Sequence, residues 1–219
     1  MASQHESRAA SPLLSAEVQQ ADQCDAAGAH AEAIQHLVAG TQKKDVEATT
    51  RLGKRLLVGD RAPCFPKEGA GLVAEASASG GAEAAAVLAV LYAVGASQHH
   101  DLRAALESLI AAAERGWAPA RAQLEVLAAG VPGAENQPPP DAAAGARVLA
   151  QRVDLTAWQT APPAVDLCAS PLVRSYPRFA SEAVCRWLVE KARGRLSRAL
   201  VYEAVRREVM AKPTRTNTA

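Results

Sequence analysis

His99 and Asp101 stand one residue apart, and a His-x-Asp pair joined by a distant second histidine is the ligand set that holds iron while leaving coordination positions open. No histidine occurs after His100, so the distal ligand is missing downstream. The pair also falls where a turn between two helices is expected, and it is read as no metal site. Cys24, Cys64, Cys168 and Cys185 are widely scattered and form no C-x-x-C, which leaves reduced, partly buried thiols as the expectation. Ser175, Ser181 and Ser197 have no histidine near them in sequence and no nucleophile elbow around them, so hydrolase chemistry is not indicated. Gly69 and Gly71 do not follow a predicted strand, as a phosphate-cradling loop requires, and instead mark the start of a helix. What remains is charge. Arg51, Lys54 and Arg55 fall on one side of a predicted helix, where they are a candidate partner-binding face that favours an acidic peptide, the alternative being a solvated helix surface. Tyr92, Trp117 and Trp158 are scarce large side chains, expected to fill gaps between helices rather than grip a ligand. Arg193, Arg195, Arg198, Arg206 and Arg207 make the C-terminal segment locally basic and are read as surface charge.

The elements that must carry these residues are bounded by composition. The chain has 219 residues, 49% hydrophobic, 4% aromatic and 21% charged, and is rich in alanine. No apolar run approaches the roughly 18 residues of a spanning helix, so no membrane segment is expected. A net charge of +1 supplies no basic excess for phosphate neutralisation, which argues against a nucleic-acid partner. The first twelve residues, MASQHESRAASP, are polar and lack the apolar core of a secretory signal, so 1–12 is expected to be disordered and the protein cytoplasmic.

Sliding the sequence against itself gives a match at an offset of about 36 residues. EATTRLGKRLLVG from Glu47 aligns with EAAAVLAVLYAVG from Glu83. In that register Ala48 meets Ala84 and Ala120, Leu52 meets Leu88 and Leu124, Gly59 meets Gly95, Ala76 meets Ala112, and Gly80 meets Gly116. Ala48, Leu52 and Leu56, then Val73, Ala76 and Ala78, recur at helical spacing with glycines after each stretch, so each unit is two helices. An upstream unit runs from Leu13 to Ala27, turns at Gly28 and continues through Ile34 and Leu37. Such units bury their apolar faces only by stacking, which predicts a right-handed solenoid whose inner surface binds.

The stretch from Leu88 to Leu124 carries L-x-x-L-Y-x-x-G, an acidic residue before its second helix (Asp101) and an A-A-x-x-G-x-x-x-A close. It resembles the Sel1-like branch of the tetratricopeptide superfamily. The resemblance covers about Ala16 to Leu127 and implies an adaptor that binds a protein or peptide partner.

From Gly130 the pattern fails at GVPGAENQPPPD, a Pro/Gly-rich loop, after which Asp141 is expected to cap a further helix that seals the solenoid. Beyond TAPPAVDLCASP, Leu172 to Tyr176 reads as extended, Ser181 as the cap of a helix with Val184, Leu188 and Ala192 on one face, and Ala199 to Tyr202 as a second strand. Phe179, Glu182, Cys185, Leu188, Ala192, Arg195, Leu196, Val201 and Tyr202 resemble the N-terminal edge of prolyl 4-hydroxylase-like iron(II) and 2-oxoglutarate oxygenases. Bacterial members carry Sel1-like repeats in front, and the tail RTNTA resembles the stretch leading into their barrel, which makes Arg215 and Asn217 candidate substrate-side positions. The implied cofactors of the full-length family are Fe(II) and 2-oxoglutarate. None is expected to bind this chain, because the iron and 2-oxoglutarate ligands are absent.

The resulting expectation is a mainly α protein: a Sel1/TPR-like helical-repeat solenoid followed by a short α+β segment, the start of an incomplete oxygenase domain. Its parts are a disordered 1–12, repeats over 13–129, a loop over 130–140, a capping helix over 141–158, a linker over 159–170 and a partial oxygenase segment over 171–219. The implied function is the N-terminal part of a dioxygenase, catalytically incomplete, with repeats that bind protein. The alternative is a non-enzymatic repeat adaptor. Apolar residues such as Val184, Leu188 and Val201 are expected to be left uncovered in the C-terminal segment.

Overall fold

The computed structural model describes residues 14–96, 98–129, 144–194, 196, 201–203 and 208–210. It is mainly α, and the chain divides into two compact units. The first comprises Met1–Glu125 with Asp141–Gln151, the second Val126–Pro140 with Arg152–Ala219.

In the first unit α1 (Ala16–Ala26) and α2 (His30–Gln42) precede the hairpins α3 (Val46–Val58) with α4 (Pro66–Ala78) and α5 (Ala82–Val94) with α6 (Leu102–Glu114). The sequence register is the structural register. α2, α4 and α6 begin at His30, Pro66 and Leu102, and α3, α5 and α7 (Ala118–Ala128) at Val46, Ala82 and Ala118. Equivalent hydrogen bonds close equivalent turns: Asp45 N–H donates to Gly40 O at 3.0 Å, Gly81 N–H to Ala76 O at 2.9 Å, and Trp117 N–H to Ala112 O at 2.9 Å. The longer connections repeat too, with Phe65 N–H donating to Leu56 O at 2.8 Å and Asp101 N–H to Tyr92 O at 3.1 Å. Gly59 and Gly95 end α3 and α5 in the left-handed region at φ 71° and 68°, a conformation a side chain would resist.

The core follows the same period. Val18, Ala21, Ala33, Leu37, Ala48 and Leu52 form one cluster, and Ala70, Val73, Ala76, Ala84 and Leu91 the next. Small residues set the spacing of the helices. A Cβ on Gly69 would lie 2.7 Å from Gly53 O, and one on Gly40 would lie 2.5 Å from the Ala48 Cβ, so the helices approach too closely for a side chain where these glycines stand. Ala78, which shares the helical spacing of Val73 and Ala76, is exposed, because it is the last residue of α4 and lies beyond the packed turns.

The expected single capping helix over 141–158 is instead two short helices among the described residues, α8 (Ala146–Gln151) and α9 (Leu155–Gln159). Asp154 accepts from Ala157 N–H at 3.0 Å and so starts a new helix where the old one was expected to continue. α8 packs on α6, where Arg147 pairs with Glu114 at 2.9 Å. The proposed cap residue Asp141 lies outside the described residues.

The second unit also departs from the expected linker over 159–170, which contains a strand. β1 (Val165–Ala169) pairs antiparallel with β2 (Leu172–Ser175), and an Asp166–Arg174 ion pair at 2.7 Å crosses the hairpin. α10 (Glu182–Ala192) is capped by Ser181 as its sequence predicts. β3 (Val201–Glu203) pairs with β4 (Glu208–Met210) in a separate two-stranded sheet. No residue of β1, β2, α9 or α10 is buried, and Leu167, Leu172, Phe179 and Leu188 are all exposed.

Candidate functional site

A groove of about 380 Å³ opens over α3 in the first unit, lined by Glu47, Arg51, Lys54, Arg55, Val58, Asp60 and Glu83. Helical spacing brings Arg51, Lys54 and Arg55 to one side of α3, and the structure places all three in this groove. Each already holds a carboxylate. Arg51 Nη1 donates to Asp22 Oδ1 at 2.6 Å and its Nε to Glu47 Oε1 at 2.6 Å. Lys54 reaches across to Glu83 at the start of α5. Arg55 grips Asp25 of α1 through both guanidinium Nη atoms.

The Arg55–Asp25 pair is the most enclosed of these, with side chains 14% and 10% exposed. His30 Nδ1 lies 2.9 Å from Asp25 Oδ1, so one carboxyl group ties the end of α1 to α2 and α3. Burial pushes the Asp25 pKa up, but the hydrogen bonds from Arg55 and His30 outweigh it and hold the carboxyl below the usual range. Burial likewise opposes the charge on Arg51, and the Glu47 hydrogen bond with the Glu47 and Asp22 charges holds its pKa above the ordinary value. Asp60, just past Gly59, is exposed and makes no ion pair among the described residues.

One repeat further on, the same helix positions change chemistry. Val90 and Val94 of α5 stand where Lys54 and Val58 stand on α3, and Val58, Val90 and Val94 are 74%, 55% and 65% exposed. The Lys54–Glu83 bridge joins the two helices. A charged groove and an aliphatic patch therefore occupy equivalent faces of neighbouring units.

The acids of this site, Asp22, Asp25, Asp60 and Glu83, carried no weight in the sequence reading. The i,i+4 pair Glu47–Arg51 is legible on a helix. The longer pairs lie 29 or 30 residues apart, a separation that the period of the array converts into proximity.

The other candidates are placed elsewhere. Asp101 Oδ1 accepts from Arg103 N–H at 2.9 Å and Ala104 N–H at 3.0 Å as the cap of α6, while His99 is exposed. Among the described residues no three His, Cys, Asp or Glu side chains converge as a metal site, so the described residues do not fit the iron that the oxygenase resemblance implies. Gly69 lies inside α4 against α3, not in a phosphate loop. Cys24 is half-buried, whereas Cys64, Cys168 and Cys185 are exposed, which corrects the expectation of partly buried thiols. Tyr92, Trp117 and Trp158 are half-buried, and Trp158 Nε1 donates to Leu127 O at 3.3 Å. Ser181 is spent as a helix cap. Arg215 and Asn217 lie outside the described residues.

No protein-family model matches the chain, and no curated protein matches it either. Among solved structures it is similar to Helicobacter pylori cysteine rich protein B, at 14% identity and a TM-score of 0.39, over 41% of this chain and 68% of that one. It is also similar to a Sel1 repeat protein from Oxalobacter formigenes, at 21% identity and a TM-score of 0.43, over 60% of this chain and 53% of that one. The chain thus spans about half the length of the second. No helix of the described residues is long and apolar enough to cross a membrane.

Proposed function

We propose that this protein is a non-enzymatic repeat adaptor that binds a protein partner through the face presented by α3 and α5. The observation that carries the reading is the groove over α3, with Arg51, Lys54 and Arg55 in its wall and exposed Val58, Val90 and Val94 beside it. Solvent-facing valines at equivalent positions of two stacked units contribute nothing to the core and are what a binding face presents. The resemblance of Leu88 to Leu124 to Sel1-like repeats points the same way. The dioxygenase reading draws no support, because His99 and Asp101 serve a turn and a helix cap and the described strands form two separate hairpins. We assign binding to the repeat region over 13–129 and leave the segment over 171–219 outside the site.

The test is selection of a random peptide library on the full chain, in parallel with a Val90→Asp/Val94→Asp variant whose helicity and urea unfolding match the parent. Peptides enriched on the parent and lost on the variant are expected. Absence of any enrichment on the parent, or equal enrichment on both, would overturn the proposal.

A further inference from the structure

The three cations of the groove invite an acidic ligand when read as a sequence, and their surroundings reverse that preference. Arg51, Lys54 and Arg55 are neutralised in place by Asp22, Glu47, Glu83 and Asp25. Three carboxylates, Glu47, Asp60 and Glu83, and three cations line the groove, and Asp22 and Asp25 hold Arg51 and Arg55 from α1, so every cation is paired while Asp60 makes no ion pair among the described residues. An acidic side chain entering the groove finds no cation without a partner, and to capture Arg55 it must displace Asp25, a nearly enclosed carboxylate that would keep only His30 beside it. A cationic side chain needs no pair to break. It finds Asp60 without an ion pair among the described residues, and Glu47 and Glu83, whose side-chain hydrogen bonds there use only Oε1 and leave Oε2 to accept.

The aliphatic surface fixes what must follow the cation. Glu83, which lines the groove, and the exposed Val90 stand seven residues apart on α5, about 10 Å along the helix at 1.5 Å per residue. An extended peptide advances about 3.3 Å per residue, so about three residues separate the two subsites. From this we infer that the site recognises an extended segment of a partner protein carrying Arg or Lys and, three residues on, an aliphatic side chain. The cation enters the α3 groove between Asp60 and Glu83, and the aliphatic side chain covers Val90 and Val94. The inference rests on the adaptor reading and names the partner's chemistry.

Fluorescence anisotropy with three labelled peptides of one length tests it, their cores being Arg-Gly-Ser-Leu, Glu-Gly-Ser-Leu and Arg-Gly-Ser-Ser. The first is expected to bind the full chain at least tenfold more tightly than either of the others, and to weaken as salt rises from 50 to 300 mM. Asp60→Lys, at an exposed position with no ion pair to lose, should cost the first peptide fivefold or more while thermal unfolding stays unchanged. Val90→Ser/Val94→Ser should abolish its advantage over the third. Tighter binding of the Glu peptide, equal binding of the Arg and Glu peptides, or no loss in either variant would overturn the inference. A concentration-dependent dimer that Val90→Ser/Val94→Ser dissolves would also overturn it, by giving the face to a second copy. If library selection enriches acidic peptides, this inference falls and the adaptor reading stands; if it enriches nothing, both fall.

Discussion

Asp25 joins three helices through one carboxyl group, accepting from Arg55 and lying 2.9 Å from His30 Nδ1. Removing its main partner is the costly change. Arg55→Met should destabilise the protein by about 3 kcal/mol, because an enclosed carboxylate is left with only His30 beside it, while Arg55→Met with Asp25→Leu should recover most of the loss. Urea unfolding at pH 7 measures both. The carboxyl pKa is held below its ordinary value in the folded chain, so its contribution is complete above the unfolded pKa of about 3.9 and is lost as pH falls through the lower folded value. Asp25→Asn should therefore flatten the acid limb of stability against pH below about 4, and an unchanged limb would contradict the assignment. The cationic half of this site was legible, because 51, 54 and 55 share a helix side whatever the fold. The acidic half was not, because Asp22 and Asp25 lie on α1, whose place beside α3 is a property of the stacked array rather than of local spacing.

At the scale of the element, one pair of positions shows how the array is tuned. Gly53 and Gly69 press the backbones of α3 and α4 together, while the positions equivalent to them in α5 and α6 hold Ala89 and Ala105. Gly69→Ala should cost about 1–3 kcal/mol through overpacking, even though alanine is the better helix former. Ala105→Gly should cost only about 1 kcal/mol, the ordinary helix-propensity difference. Lys44 supplies a complementary test. It stands at φ 62° where the next two units place Gly80 and Gly116 at 97° and 88°, and its side chain is exposed. Lys44→Gly should raise stability by about 0.5–1 kcal/mol in thermal unfolding, the relief of a left-handed residue less the added freedom of glycine in the unfolded chain. These turns were readable because glycines and small core residues recur together. The break at Asp154 and the strand β1 were not. A capping aspartate inside an apolar helix-like stretch looks like one more polar position until its side chain turns back to Ala157, and VDLCA is too short to separate from a loop between prolines.

At the scale of the whole chain, the two units differ in how they are held. The first has a series of fully buried side chains from Val18 to Leu124, whereas α9, β1, β2 and α10 bury none. Hydrogen exchange at pH 7 should accordingly be slowest in α3 to α6 and close to unprotected in β1, β2 and α10. Comparable protection in both would show that the C-terminal elements are covered in solution. The exposed Leu188 on a helix whose apolar stripe was legible marks the limit of sequence reading here: periodicity names a face but not what meets it. The register of the array carries a last consequence. A duplicated unit inserted at the turn after α4 would meet its neighbours through the contacts already in use, so this architecture can grow by gene duplication. Its charged groove would not be copied intact, because Asp22 and Asp25 come from α1, and the residues one period after them are Val58 and Arg61. Lengthening the array would give a longer ruler whose added grooves, lacking those two carboxylates, carry more positive charge than the first.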